Sequence, residues 1–122
     1  MIVSLDFDSA VPLFEQLRSQ IELLIVSGQL AAGAQLPAIR HLAADLGLAR
    51  GTVAKVYEVL ARDGLVSGSG RNGTIVLPQP PGGRESSVFQ EAVEYLARIV
   101  RQLGVPPEEA HRALSEALAR ST

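Results

Sequence analysis

Among residues able to do chemistry, this sequence offers cations and little else. It has no cysteine, which excludes thiolate nucleophiles, disulfides and cysteine–zinc sites together. Its two histidines, His41 and His111, are far apart and lack a second ligand at metal-binding spacing. No nucleophile–base pairing is apparent. Gly68-x-Gly70-x-x-Gly73 repeats the spacing of a dinucleotide loop, but it lies between two short β-type runs and opens no helix. The helix N-terminus that would hold a pyrophosphate is therefore missing. What remains is Arg40, Arg50, Lys55, Arg62 and Arg71, set against Asp45, Glu58 and Asp63 between Ala38 and Thr74. That stretch carries a small positive excess in a chain whose net charge is −2. A polyanion needs a local positive face and not a basic total, so this composition permits nucleic-acid binding without requiring it.

The elements that would position these cations follow from apolar spacing. Pro12 opens a first helical pattern at the N1 position, where its missing N–H costs nothing. Phe14, Leu17, Ile21, Leu24 and Ile25 recur at three- and four-residue steps, and Gly28 supplies the stop. A connector from Gln29 to Leu36 leads through a brief extended piece to Pro37. Ile39, Leu42, Ala43 and Leu46 then form the stripe of a short helix closed by Gly47. After Leu48 and Ala49 a further helix begins, with Val53, Val56, Tyr57, Leu60 and Ala61 inside and Gly64 after it. Two short helices joined by a glycine-containing turn make a helix-turn-helix. Leu65-Val66 and Thr74–Leu77 flank Asn72-Gly73, a dipeptide that tolerates the positive φ of a primed turn, so a β-hairpin is expected next. That hairpin makes the unit winged.

Pro78-Gln79-Pro80-Pro81-Gly82-Gly83 reads as an extended spacer without regular structure. Beyond it Ser87 and Gln90 have capping-box spacing, which predicts a helix start there. Phe89, Val93, Leu96, Val100 and Leu103 alternate four- and three-residue steps, a narrow seam suited to a partner helix. Gly104 ends it, and Pro107 with Glu108-Glu109 starts a last helix striped by Ala110, Ala113, Leu114, Ala117 and Leu118. Such a hairpin is too small to bury both stripes alone. No apolar run approaches the roughly 20 residues of a membrane span, and the N-terminus lacks the pattern of a secretion signal, so a cytoplasmic location is expected. The expected fold is mostly α with a small β-hairpin: a winged helix-turn-helix over residues 1–78, then a linker and two-helix dimerisation segment over 79–122.

Read in order, the residues from Pro12 to Val76 resemble the GntR family of bacterial regulators. The resemblance is carried by Pro12-Leu13-Phe14-x-Gln16-Leu17, by Ile25-x-x-Gly28-x-Leu30-x-x-Gly33-x-x-Leu36-Pro37-x-x-Arg40-x-Leu42-Ala43-x-x-Leu46-Gly47, by Arg50-x-Thr52-Val53-x-x-x-Tyr57-x-x-Leu60-x-x-x-Gly64 and by the wing glycines. The short tail is similar to that of the YtrA-like subfamily, which lacks a large effector domain. The resemblance implies DNA-contacting roles. Arg40, in the first turn of its helix, would reach a phosphate. Arg50 would begin the recognition helix and give two hydrogen bonds to guanine. Thr52 would bond a phosphate while its methyl meets a thymine methyl, and Lys55 would contact a phosphate one turn on. Gly70 would allow close approach of the wing, whose Arg71 would enter a minor groove. Phe89, Val93, Leu96, Val100, Leu103, Leu114 and Leu118 would form the dimer seam.

This sequence departs from the family pattern at three places. Ala38 and Ala49 stand where serine is usual, and Gly51 where a polar residue is usual. Each lost cap costs about 0.5–2 kcal/mol, and a glycine inside a helix up to about 1 kcal/mol. The implied function is a sequence-specific, DNA-binding transcription regulator. It would be a repressor acting as a homodimer on a pseudo-palindromic operator, with neither catalysis nor a cofactor, and with any small-molecule effector unspecified. The rival reading is a winged-helix protein-interaction module that has lost DNA binding. The net charge, Gly51 and the two missing serines favour it.

Overall fold

The computed structural model describes residues 1–68, 73–80 and 83–120. Seven elements follow in chain order: α1 (Leu13–Val26), α2 (Ile39–Leu46), α3 (Arg50–Arg62), β1 (Val66–Ser67), β2 (Ile75–Val76), α4 (Gly83–Leu103) and α5 (Pro107–Arg120). They divide into two compact units, residues 1–85 and 86–122.

In the first unit α1 and α2 both pack on α3. The apolar steps read from the sequence are those that close the core: Leu17, Ile21 and Ile25 from α1, Leu42 and Ala43 from α2, and Val53, Val56, Tyr57 and Leu60 from α3. Leu65, Val66 and Val76 seal it from the hairpin side. Pro12 is the N-cap of α1 and not its first helical residue, since its ψ of 145° is extended. The tight turn between α2 and α3 needs the left-handed φ of +70° at Gly47, after which the Leu48 N–H donates to the Ala43 carbonyl at 2.9 Å. A side chain at Gly47 would be strained in that conformation.

The hairpin is antiparallel, with Val66 opposite Val76 and Ser67 opposite Ile75. Its regular part is shorter than the apolar runs suggested. The extended piece before α2 lines its far edge: the Val76 N–H donates to the Ala34 carbonyl, and Gly33 and Leu36 donate to Val76 and Thr74, all at 2.8 Å. Of the Asn72-Gly73 turn, Asn72 lies outside the described residues, and Gly73 has the expected positive φ of +72°.

The N-terminal arm is fastened in a way the apolar pattern did not signal. Gln16 and Gln20, one turn apart on α1, pair with alternate backbone units of an extended chain. Gln20 accepts from the Ser4 N–H (2.9 Å) and donates to the Ser4 carbonyl (2.6 Å). Gln16 accepts from the Asp6 N–H (2.8 Å) and donates to the carbonyls of Asp6 (3.0 Å) and Val11 (2.7 Å). The two amides act as a strand edge, leaving Val3 and Leu5 to pack on the core.

In the second unit α4 and α5 are joined at Gly104, whose φ is +68°. Helix α4 begins at Gly83, so the expected capping box is absent: Ser87 already lies inside the helix. The spacer is correspondingly shorter, and its Pro81 and Gly82 lie outside the described residues. Between the two helices lies an apolar groove of about 300 Å³, lined by Val93, Leu96, Ala97, Val100, Ala110 and Leu114 and bordered by Arg101 and His111. No residue of α5 is buried.

Candidate nucleic-acid interface

Helix α3 shows one face to the core and the opposite face to solvent. Val53, Val56, Tyr57 and Leu60 are buried; Gly51, Lys55, Glu58 and Arg62, at four- and three-residue steps, are exposed. Thr52 and Val59 are half-buried on one flank of that outer stripe. Arg50 is the first residue of α3, exposed on the other flank. Thr52 and Lys55 are therefore neighbours on one side of the helix, while Arg50 projects separately from its start.

The starts of α2 and α3 are built alike. Their N-caps, Ala38 and Ala49, provide no side-chain hydrogen bond, and neither helix has an acidic residue in its first turn. Each instead carries an exposed arginine there, Arg40 and Arg50. A cation at the positive end of a helix dipole is unfavourable by a few tenths of a kcal/mol to about 1 kcal/mol. These two arginines therefore do not stabilise their own helices. Together with the uncapped N–H groups they form helix ends suited to an external anion.

Tyr57 locks this arrangement from beneath. Its hydroxyl donates to the Pro37 carbonyl at 2.7 Å, tying α3 to the residue that precedes the N-cap of α2. Burial pushes the phenol up to about 12. Gln79 closes the other end of the unit, donating from Nε2 to the carbonyls of Gly64 (3.1 Å) and Leu77 (3.0 Å).

Arg40, Arg50, Thr52 and Lys55 thus belong to two adjoining helices, with the three cations exposed. The expected wing contacts, Gly70 and Arg71, lie outside the described residues. Sequence reasoning passed over Glu58 and Arg62 as part of the outer stripe. Counting helical steps away from Val53, Val56 and Leu60 would have found both. In the tail, Phe89, Val93, Leu96, Leu103, Leu114 and Leu118 are exposed and Val100 is half-buried. Among the described residues no cluster of three potential metal ligands occurs, and no helix is long and apolar enough to cross a membrane.

The pattern of bacterial regulatory proteins of the gntR family matches residues 13–76. The chain is 36% identical over 110 residues to the HTH-type transcriptional regulator Rv1152 of Mycobacterium tuberculosis, covering 90% of this chain and 88% of that one. It is 26% identical over 118 residues to the HTH-type transcriptional repressor YtrA of Bacillus subtilis, covering 94% and 91%. A crystal structure of the AraR DNA-binding domain in complex with operator ORX1 superposes with a TM-score of 0.54 at 23% identity, over 62% of this chain and 95% of that one.

Proposed function

The chain belongs to the GntR family of bacterial regulatory proteins, and from that premise we propose that it is a homodimeric transcription repressor of a pseudo-palindromic operator. The observation that carries the proposal is the pair of uncapped helix starts, each bearing an exposed arginine against its own dipole. Arg40 then holds a phosphate, and Arg50 reads a guanine in the major groove. Thr52 and Lys55 grip the backbone on one side of α3, and Gly70 and Arg71 carry the wing to the minor groove. The operator-bound AraR domain has a similar fold, and the Bacillus relative of similar length is named a repressor. The regulator works in the cytoplasm, where a bacterial chromosome lies.

Residues 1–78 act as the DNA-binding domain and residues 79–122 as linker and dimerisation segment. Phe89, Leu103 and Leu118 are 64%, 74% and 61% exposed, too much apolar surface for the second unit to leave in water. A second copy laying its own α4–α5 hairpin against this one covers the seam and couples two half-sites through effective concentration.

Selection of duplexes from a random library tests the proposal. The expected result is an inverted repeat bound by a dimer in sedimentation. Leu96→Asp sets a charge in the seam, and should give a monomer with an intact winged unit and much weaker binding to the selected duplex. Enrichment of no sequence would favour the protein-interaction reading instead. A Leu96→Asp protein that stayed dimeric would move the interface away from the tail.

A further inference from the structure

The outer stripe of α3 contains an acid where a phosphate-binding helix would be expected to avoid one. Glu58 is exposed between Lys55, three residues before it, and Arg62, four residues after it. Both spacings allow an ion pair on a helix. Yet among the described residues none of the three side chains makes an ion pair or a hydrogen bond. Glu58 is therefore not held by its neighbours and does not neutralise them.

Gly51 opens the same stripe one turn before Lys55. It has no side chain, and a Cβ built there would meet nothing within 4 Å. Ala49, the N-cap two residues before it, is also small, and Arg50 between them projects from the flank. The first turn of α3 thus presents almost no side-chain bulk at the centre of its outer face, so α3 can lie closer to a groove floor. Besides Arg50 on the flank, the side chain of this outer face that then comes within reach of the base edges is Glu58 of the third turn. A carboxylate there is repelled by phosphates and by the acceptor atoms N7 and O6 of guanine. It is attracted only by the exocyclic amino groups. On adenine that amino group adjoins the acceptor N7, while cytosine shows the amino group without an acceptor beside it. The cations on either side can turn to the phosphates and leave the carboxylate facing inward.

We infer that Glu58 determines operator specificity by accepting a hydrogen bond from the N4 amino group of a cytosine. This rests on the DNA-binding role proposed above and deepens it. The test is selection from a random duplex library by the full-length wild type, Glu58→Ala and Glu58→Gln, with affinities then measured on the enriched duplexes. The wild type should require cytosine at one position of each half-site. Glu58→Ala should lose that preference by about tenfold and keep the rest of the site. Glu58→Gln should move it toward adenine, because a glutamine amide can both donate to N7 and accept from N6. If both variants keep the wild-type preferences and bind every duplex more tightly, Glu58 is only a repulsive charge and the inference is overturned. A wild type that enriches no duplex would instead overturn the DNA-binding role itself. Matching melting curves for the three proteins, expected for an exposed position, exclude misfolding as the cause of any difference.

Discussion

Helices α1 and α3 each carry a charged triplet at the same spacing and with opposite signs: Glu15–Arg18–Glu22 and Lys55–Glu58–Arg62. In α1 the triplet closes on itself. Arg18 bonds both carboxylate oxygens of Glu15, with Nε to Oε2 at 3.0 Å, and reaches Glu22 at 3.4 Å. Those bonds hold the Glu15 carboxyl below its ordinary range, and Glu22 is buried. In α3 the triplet stays open, all three side chains being exposed. The apolar stripes divide in the same way. Those of α1 and α3 are covered within the chain, whereas the stripe of α5 has no buried residue. A pattern satisfied inside the chain holds the fold, and a pattern left open is available to something else.

The sharpest way to break this division is to cut one apolar residue from each kind of stripe. Leu60 is fully buried, so Leu60→Ala should lower unfolding free energy by about 2–5 kcal/mol in urea titration. Leu96→Ala should leave the melting of the winged unit within about 0.5 kcal/mol and weaken self-association instead. Equal loss of winged-unit stability in both variants would erase the distinction.

Among the open cations, Arg50→Ala should cost about 1–3 kcal/mol on the selected duplex and much less on random duplex, read by anisotropy titration. Equal losses on both DNAs would make Arg50 a phosphate contact.

Tyr57 tests a buried link to the open face. Tyr57→Phe removes the bond to the Pro37 carbonyl and should cost about 0.5–1.5 kcal/mol of stability near neutral pH. The phenol titrates at about 12 when folded and near 10 when unfolded. The unfolded chain therefore loses its proton first, and wild-type stability should fall as pH rises from about 10 toward 12. The phenylalanine variant should lack this component, and an unchanged alkaline profile would show that the link is not what titrates.

The smallest effects come from the triplets themselves. Arg18→Met should cost about 1 kcal/mol or less. It should also remove the part of the acid sensitivity that appears as pH falls through the carboxylate range, where Glu15 must be protonated. Lys55→Ala should leave stability within about 0.5 kcal/mol, but should reduce the salt dependence of DNA binding by about one unit of slope. An unchanged slope would remove Lys55 from the interface.

The sequence by itself determined most of the first unit. Apolar residues at helical steps can bury only one face, so Leu17, Ile21, Val53, Val56 and Leu60 specified which sides of α1 and α3 meet. Glycines able to take positive φ marked where the helices stop, as Gly47 does between α2 and α3. Arg40, Arg50 and Lys55 were singled out through the family resemblance, and helical periodicity added only that they stand away from the inner faces of α2 and α3, where the structure leaves them exposed. Helix starts were less legible, because a local cap competes with whatever the preceding residues can do, and α4 begins at Gly83 in spite of the Ser87–Gln90 spacing. Only the tertiary structure decided the fate of the long-range polar pairs. That Gln16 and Gln20 hold the arm at Ser4 and Asp6, and that Tyr57 reaches Pro37, depends on which surfaces approach each other. A hydrogen bond between residues far apart in the chain acts over one or two atomic diameters and leaves no period in the sequence, whereas burial of a helix face repeats every turn and does.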